Sequence, residues 1–298
     1  MAITRCIACL LIFLPAWLQA QSSVWKASRG SAVVYLGGTC HLLRASDFPL
    51  PAEFDEAFRA SREIIFETNI ARMQSPEMQQ VVLTEGLFLD GRTLENVVTP
   101  PTWRSVKRYC EGSGLPLAQA SQMKPWLFAI TVALLEVHKL GVSSQGVDLH
   151  FHQLAVETGK RVGELEGFER HLAFLTGLGA GRENEMIAKS LEDVAEIPAM
   201  LEALLRAWKI GNLEQLDRLM VREMRTKYPA IYQALLADRN KAWLPKIEQL
   251  FKSPEPEFVL VGVGHMAGSD GLIAQLRTRG YQVVQLEANA VPKTKSGR

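Results

Sequence analysis

The sequence predicts an α/β fold: a mixed, mainly parallel sheet with a large helical insert, its strands gathered from both ends of the chain. Three observations carry this. Residues 258–262 form an unbroken apolar run closed by glycine, the pattern of a strand buried on both faces. The run leads into Gly262-Val263-Gly264-His265, so a histidine follows backbone freed by glycine. The same arrangement stands near the other end, where residues 32–36 lead into Gly38-Thr39-Cys40-His41. After each G-x-x-H come a helix and a second strand with a glutamate, Glu67 in one half and Glu287 in the other. That repetition predicts an approximate internal two-fold. Finally, residues 184–251 place apolar side chains at three- and four-residue steps, a helical layer to cover the sheet.

Taken in order, residues 1–20 begin with Arg5 before an apolar run and close on Ala20. That is the layout of a secretory signal peptide cut near Ala20, and the run falls short of the ~20 residues needed to span a bilayer. Residues 21–290 are expected to form one domain, and the polar, basic residues 291–298 a flexible tail. Residues 23–28 and 32–36 flank Arg29-Gly30, a hairpin turn. A helix over 52–63 precedes a short buried strand at 64–67. Short helices fill 75 to about 120, with a joint at Pro100-Pro101. Residues 123–140 are the most hydrophobic part of the mature chain. Their uncharged middle is too short to cross a membrane, so they predict a buried helix with Pro125 in its first turn and Gly141 closing it. Gly146-Val147-Asp148 starts another helix, and residues 161–165 read as a strand ending in Glu166. Within 184–251, Pro198 predicts a break, Asn212 with Gln215 a capping box, and Asp238-Arg239-Asn240 a separation between helices. Ser269 or Asp270 should cap a helix before the last strand, 282–286.

Charge is balanced, 33 basic against 32 acidic side chains, which gives no electrostatic footprint for nucleic acid. Two histidines and glutamates at strand ends suit metal binding or acid–base chemistry, and a structural role for each histidine is the competing reading. The mature chain has no H-E-x-x-H, C-x-x-C or G-x-S-x-G. Asp148, His150 and His152 spell D-x-H-x-H, but helix positions two apart face away from each other, so the two histidines cannot share an ion. They read as structural, as do the partly buried His138 and His171. Asp148 caps its helix favourably and can also point into a site. Cys40 and Cys110 read as small buried hydrophobes, with a disulfide between them in an oxidising compartment as the alternative.

The segments YLGGTCHLL, EIIFE, MKPW before the long apolar helix, GVDLHF, GKRVGELE, DRN and FVLVGVGHMAGSDGL occur here in one order. In this the chain resembles the TraB/GumN family, which includes the Tiki and pheromone-shutdown proteins, over about residues 24–287. The resemblance implies an α/β fold related to the erythromycin esterase and ChaN-like proteins. It also implies a metal-dependent peptidase centred on the two G-x-x-H histidines and an acid after the first. On this chain those are His41, His265 and Glu67, as metal ligands and catalytic groups. Asp148, Glu166, Arg239 and Asn240 occupy other motif positions near the site, with Gly38, Gly262 and Gly264 in the turns. Cys40 departs from the aliphatic residue usual in the first motif and would crowd or oxidise a metal.

The sequence supports two classes of function. One is a periplasmic or secreted hydrolase of peptide or ester bonds that uses a divalent metal ion, Mn, Co or Zn. The other is a non-catalytic envelope protein that holds a peptide or small-molecule ligand in the same pocket. A metal-free esterase-like hydrolase with His41 as general base is a third form. No organic cofactor, nucleic acid or stable membrane insertion after signal cleavage is expected.

Overall fold

Because one strand is apolar on both faces, it must lie inside a sheet that helices cover on both sides, and the structure is built that way. The computed structural model describes residues 21–143 and 145–287; the expected signal segment and tail lie outside the described residues. The main sheet contains β1 (Gln21–Arg29), β2 (Ala32–Thr39), β3 (Glu63–Phe66), β4 (Arg161–Glu164), β5 (Glu257–Gly262) and β6 (Gln282–Glu287). They lie in the order β4-β3-β5-β2-β1-β6. β2 pairs in parallel with β5, Gly38 opposite Val261 and Thr39 opposite Gly262, so the two G-x-x-H turns leave the sheet side by side. β3 is parallel to both β5 and β4. β1 runs antiparallel to β2 and to β6, which makes the sheet mixed but mainly parallel, as expected.

The helices that matter for the site are α1 (Ala52–Ala60), α2 (Pro125–Lys139), α3 (Val147–Glu157), α4 (Phe168–Thr176), α5 (Ile197–Lys209), α6 (Asp238–Leu250) and α7 (Leu272–Thr278). Alternation along β5 sorts them onto two faces. Phe258 and Leu260 pack with Phe54 and Phe58 of α1 and Phe151 of α3. Val259 and Val261 pack with Trp243 and Ile247 of α6 and Leu272 and Leu276 of α7. Each fully buried side chain of this size contributes roughly 1.5–3 kcal/mol. The helices that follow the two G-x-x-H turns, α1 and α7, thus lie on opposite faces, as a two-fold along the strands requires. The symmetry is approximate because β1 is inserted between β2 and β6.

Several local expectations change. The helix expected over 52–63 stops at Ala60, since β3 already begins at Glu63. The break expected at Pro198 is present just before it: one helix ends at Glu192, a 3-10 turn covers Asp193–Glu196, and α5 starts anew with Pro198 in its first turn, where the missing N–H breaks no bond. Asp238-Arg239-Asn240 do not separate helices: a π-turn over Gln233–Ala237 runs straight into α6. Gly271 caps α7, and Asp270 instead accepts the Tyr232 hydroxyl at 2.5 Å. Asn212 accepts from the Gln215 amide at 3.0 Å and caps its helix. A helix-only cluster, including Trp103, Val106, Phe128 and Ile187, forms a separate core beside the sheet. Only Pro125, Trp126, Phe128 and Val132 of α2 are buried, although the whole helix was expected to be. Its other face lines a cavity.

Candidate functional site

At the end of β2 and β5 the backbone comes very close to its neighbours, and glycine makes that possible. A Cβ on Gly146 would meet the His41 carbonyl oxygen at 2.1 Å, so only glycine lets α3 start against the first G-x-x-H turn. The Val147 N–H donates to Cys40 O at 3.0 Å and fixes the contact. Asp148, one residue on, then faces His41. Its Oδ2 accepts from His41 Nδ1 at 2.7 Å, and its Oδ1 accepts from the Thr39 hydroxyl at 3.0 Å. Asp148 is buried, whereas the His41 side chain is 61% exposed to the cavity. The Asp148 carboxylate pushes the imidazole up to about 9, against the burial of its inner edge. With Nδ1–H held by Asp148, Nε2 is the atom left to act.

Gly262 brings the second component close. A Cβ there would stand 3.2 Å from both His41 Nε2 and Glu67 Oε1, so both atoms lie close beside the glycine. Their separation is at most twice that distance, a gap that one water can bridge. Glu67, the residue after β3, accepts the Gly262 N–H at 2.6 Å through Oε1 and Arg239 Nη2 at 2.6 Å through Oε2. Burial alone would raise its pKa. The histidines, Arg239 and the Gly262 amide outweigh that and hold the carboxyl below its usual range.

Arg239 is the hub, and α6 positions it. It is only 6% exposed and also donates to Glu166, with Nη2 to Oε1 at 2.7 Å. Its guanidinium lies 4.5 Å from the centre of the Trp243 ring. Glu166 further accepts Trp243 Nε1 at 3.3 Å and pairs with His171 Nδ1 at 2.8 Å. Burial raises the Glu166 pKa, and these partners bring it below the usual value.

His265 occupies the second turn in a different state. It is 4% exposed, its Nδ1 lies 2.7 Å from Asn240 Oδ1, and its Nε2 lies 3.2 Å from Arg239 Nη1. Asn240 Nδ2 donates to the carbonyls of His265 and Asp270, which leaves its oxygen as acceptor. The neutral ring therefore donates from Nδ1 and accepts the arginine at Nε2. Burial pushes its pKa down to about 4.

His41, His265, Glu67 and Arg239 line one cavity of about 640 Å³, with Gly262 and Gly264 in its floor. Asp148, Glu166 and Asn240 stand behind them, and Gly38 accepts Trp208 Nε1 at 2.7 Å through its carbonyl. Glu287 lies apart, exposed at the end of β6 and hydrogen-bonded to Gln21. His150 packs on Phe48, and His152 packs edge-on against Phe66, away from any shared ligand. Cys40 and Cys110 are buried and unpaired, and burial pushes the Cys40 thiol well up. Thr39, Trp243 and His171 were not singled out by sequence reasoning. His171 read as surface; an acid five residues before it on the way into α4 was the available signal.

His41, His265 and Glu67, the ligand set that the resemblance implies, thus meet in one place, but Arg239 sits among them. Glu67 Oε1 is 3.8 Å from His265 Nε2, yet that nitrogen and Glu67 Oε2 both accept hydrogen bonds from the guanidinium. A divalent ion would share the spot with a fixed cation. As arranged, these residues do not fit a metal centre, and among the described residues no group of three or more His, Cys, Asp and Glu is set to hold one. No helix among the described residues is long and apolar enough to cross a membrane. A family model described as the TraB/PrgY/gumN family matches residues 23–285, most of the chain. No curated protein and no solved structure matches it.

Proposed function

As the chain belongs to the TraB/PrgY/gumN family, we propose that it is a hydrolase of ester or amide bonds in which His41 takes the proton from water, acting in the periplasm or outside the cell. One observation carries this reading: buried Asp148, itself held by the Thr39 hydroxyl, holds His41 Nδ1, and His41 Nε2 and Glu67 Oε1 both lie beside Gly262 in the same cavity. The secreted location rests on the charged start and short apolar run of residues 1–20.

In the neutral form, the Nε2 lone pair of His41 accepts a proton as water adds to the substrate carbonyl. The Asp148 carboxylate balances the imidazolium that forms. Nε2–H then gives the proton to the departing oxygen or nitrogen, leaving an acid and an alcohol or amine. Glu67 Oε1, held ionised, orients the same water by accepting its second proton in a hydrogen bond. Arg239 and the Gly262 amide hold Glu67 in place, and neither they nor His265 transfers a proton in this scheme. The Mn, Co or Zn reading requires Arg239 to leave the site first, so no step is routed through a metal.

A base must be deprotonated to act, so turnover should rise with pH towards the His41 value of about 9. The test is kcat/KM for simple aryl esters from pH 6 to 10, with His41→Gln as control. Full ester hydrolysis in His41→Gln would overturn the mechanism. A ligand-binding role in the same cavity is the second reading. It is favoured by His41 being cationic at neutral pH, and so a donor to a ligand head group. Tight binding without turnover would select it.

A further inference from the structure

The cavity has two unlike parts. The sheet end supplies His41, Glu67, Arg239 and His265, whereas the walls that lead away are helical and apolar. Val132, Ala133 and Val137 come from one face of α2, Leu201 and Leu204 from one face of α5, and Met220 from the segment after it. The α2 stretch is the most hydrophobic of the mature chain, yet on this face Ala133 is exposed and Ala129 and Val137 are only half-buried. An apolar surface kept open beside reactive groups calls for an apolar occupant.

The polar groups in the helical part narrow the choice. Ser190 and Asp193 line it as well, but the Ser190 hydroxyl donates to Met186 O and Asp193 is paired with Lys189. A peptide laid along this arm would bring an N–H and a C=O per residue to walls that offer them few partners, a penalty of roughly 5- to 150-fold in affinity per group. A hydrocarbon chain brings none. Methionines along the arm, Met220 and Met224 among them, adapt their shape to a flexible chain. Only the bond to be cleaved needs the polar end.

We infer that the substrate is an ester or amide of a long, unbranched hydrocarbon acid, its carbonyl at His41 and its chain along the α2–α5 arm. This rests on the hydrolase reading and adds the substrate class to it. Hydrolysis adds water across the carbonyl–heteroatom bond and releases the long-chain acid with an alcohol or amine.

The test pairs turnover with binding on the full mature chain. For p-nitrophenyl esters from acetate to palmitate, kcat/KM should rise about three- to fourfold per methylene until the arm is full. The non-hydrolysable ether 1-O-hexadecylglycerol, followed by calorimetry below its aggregation limit, should bind. Leu204→Trp should lower the ratio of long-chain to short-chain kcat/KM. Ala133→Trp, at a solvent-accessible wall position, should do the same if the first variant does not fold, and so should Met200→Glu at the 47%-exposed mouth. An active enzyme with a flat chain-length series would overturn the inference and leave the hydrolase standing. Faster cleavage of leucine-rich peptides than of any ester would also overturn it. Binding of the ether without ester turnover would keep the hydrocarbon arm and overturn the hydrolase.

Discussion

The two G-x-x-H turns begin from the same backbone plan and end in opposite chemistry. Both follow strands of one parallel pair, and both deliver their histidine to one cavity. His41 meets a carboxylate, stays open to the cavity and rises to about 9. His265 meets an amide oxygen and a guanidinium, is sealed under Trp243 and falls to about 4. The motif places an imidazole; the atom opposite Nδ1 decides what that imidazole can do. Glu67, ionised and bound by Arg239, lies near both, and only the open histidine can exchange a proton with water in the cavity.

The largest effect should come from erasing the difference at its source. Asp148→Asn offers His41 an amide in place of the acid, which frees the ring to turn its proton towards Nε2. Ester kcat/KM at its alkaline plateau should then fall about 10²–10⁴-fold. The chain should remain folded by circular dichroism. A change of under threefold would show that the acid does not set the tautomer. Next in size is the hub. Arg239→Met leaves Glu67 and Glu166 buried without their shared cation, which should cost about 3–5 kcal/mol in urea unfolding. His41→Gln, at an exposed side chain, should stay within about 0.5 kcal/mol of the parent. Equal losses in the two variants would break the comparison between a working histidine and a structural hub.

How much of this was legible follows from the same contrast. β5 and both histidine turns could be read because an apolar run ending in glycine is a local signal. Glu67 was visible as the acid ending the next strand, and Asp148 as an acid in a first helical turn. That Asp148 meets His41 was not legible, because the pairing depends on Gly146 packing under a carbonyl distant in sequence. Arg239 was placed near the site by its DRN motif, but its position between Glu67 and Glu166 is set by a π-turn that no periodicity announces. The apolar face of α2 was read as core for a related reason. Hydrophobicity records that a surface avoids water and is silent on whether protein or ligand covers it.

A smaller effect, opposite in sign for the two histidines, should appear in stability against pH. His41 is raised from 6.5 to about 9, so the folded state holds a proton that the unfolded state loses; its contribution is complete below 6.5 and disappears as pH rises through about 9. His265 is lowered to about 4, so the unfolded state binds the proton first, and stability is lost as pH falls from 6.5 towards 4. Lowered Glu67 and Glu166 add to the acid loss below their ordinary value of 4.5. The alkaline limb should be shallow because solvent screens the exposed His41 side of the pair. Urea midpoints from pH 4 to 10 should therefore form a dome. His41→Gln should flatten its alkaline side alone, and an unchanged alkaline side would remove the Asp148–His41 pair from the account.

The smallest expected effect is that of a chelator. The lone pair of His265 Nε2 and one oxygen of Glu67 accept from Arg239, and the other oxygen accepts from Gly262, so of the three proposed ligands only His41 keeps a free donor atom. A +2 ion beside a guanidinium also meets repulsion that only added anionic ligands would offset. Dialysis against EDTA should therefore leave ester turnover and thermal midpoint unchanged, and adding Mn, Co or Zn should not raise either. Arg239→Met sharpens the point, since it removes the competing cation and should gain whatever metal affinity the site has. Loss of activity on chelation in the parent, restored by one of these ions, would mean that Arg239 leaves the site in the working enzyme. The two histidines would then act as a pair of ligands, and the contrast between them would belong to the metal-free state alone.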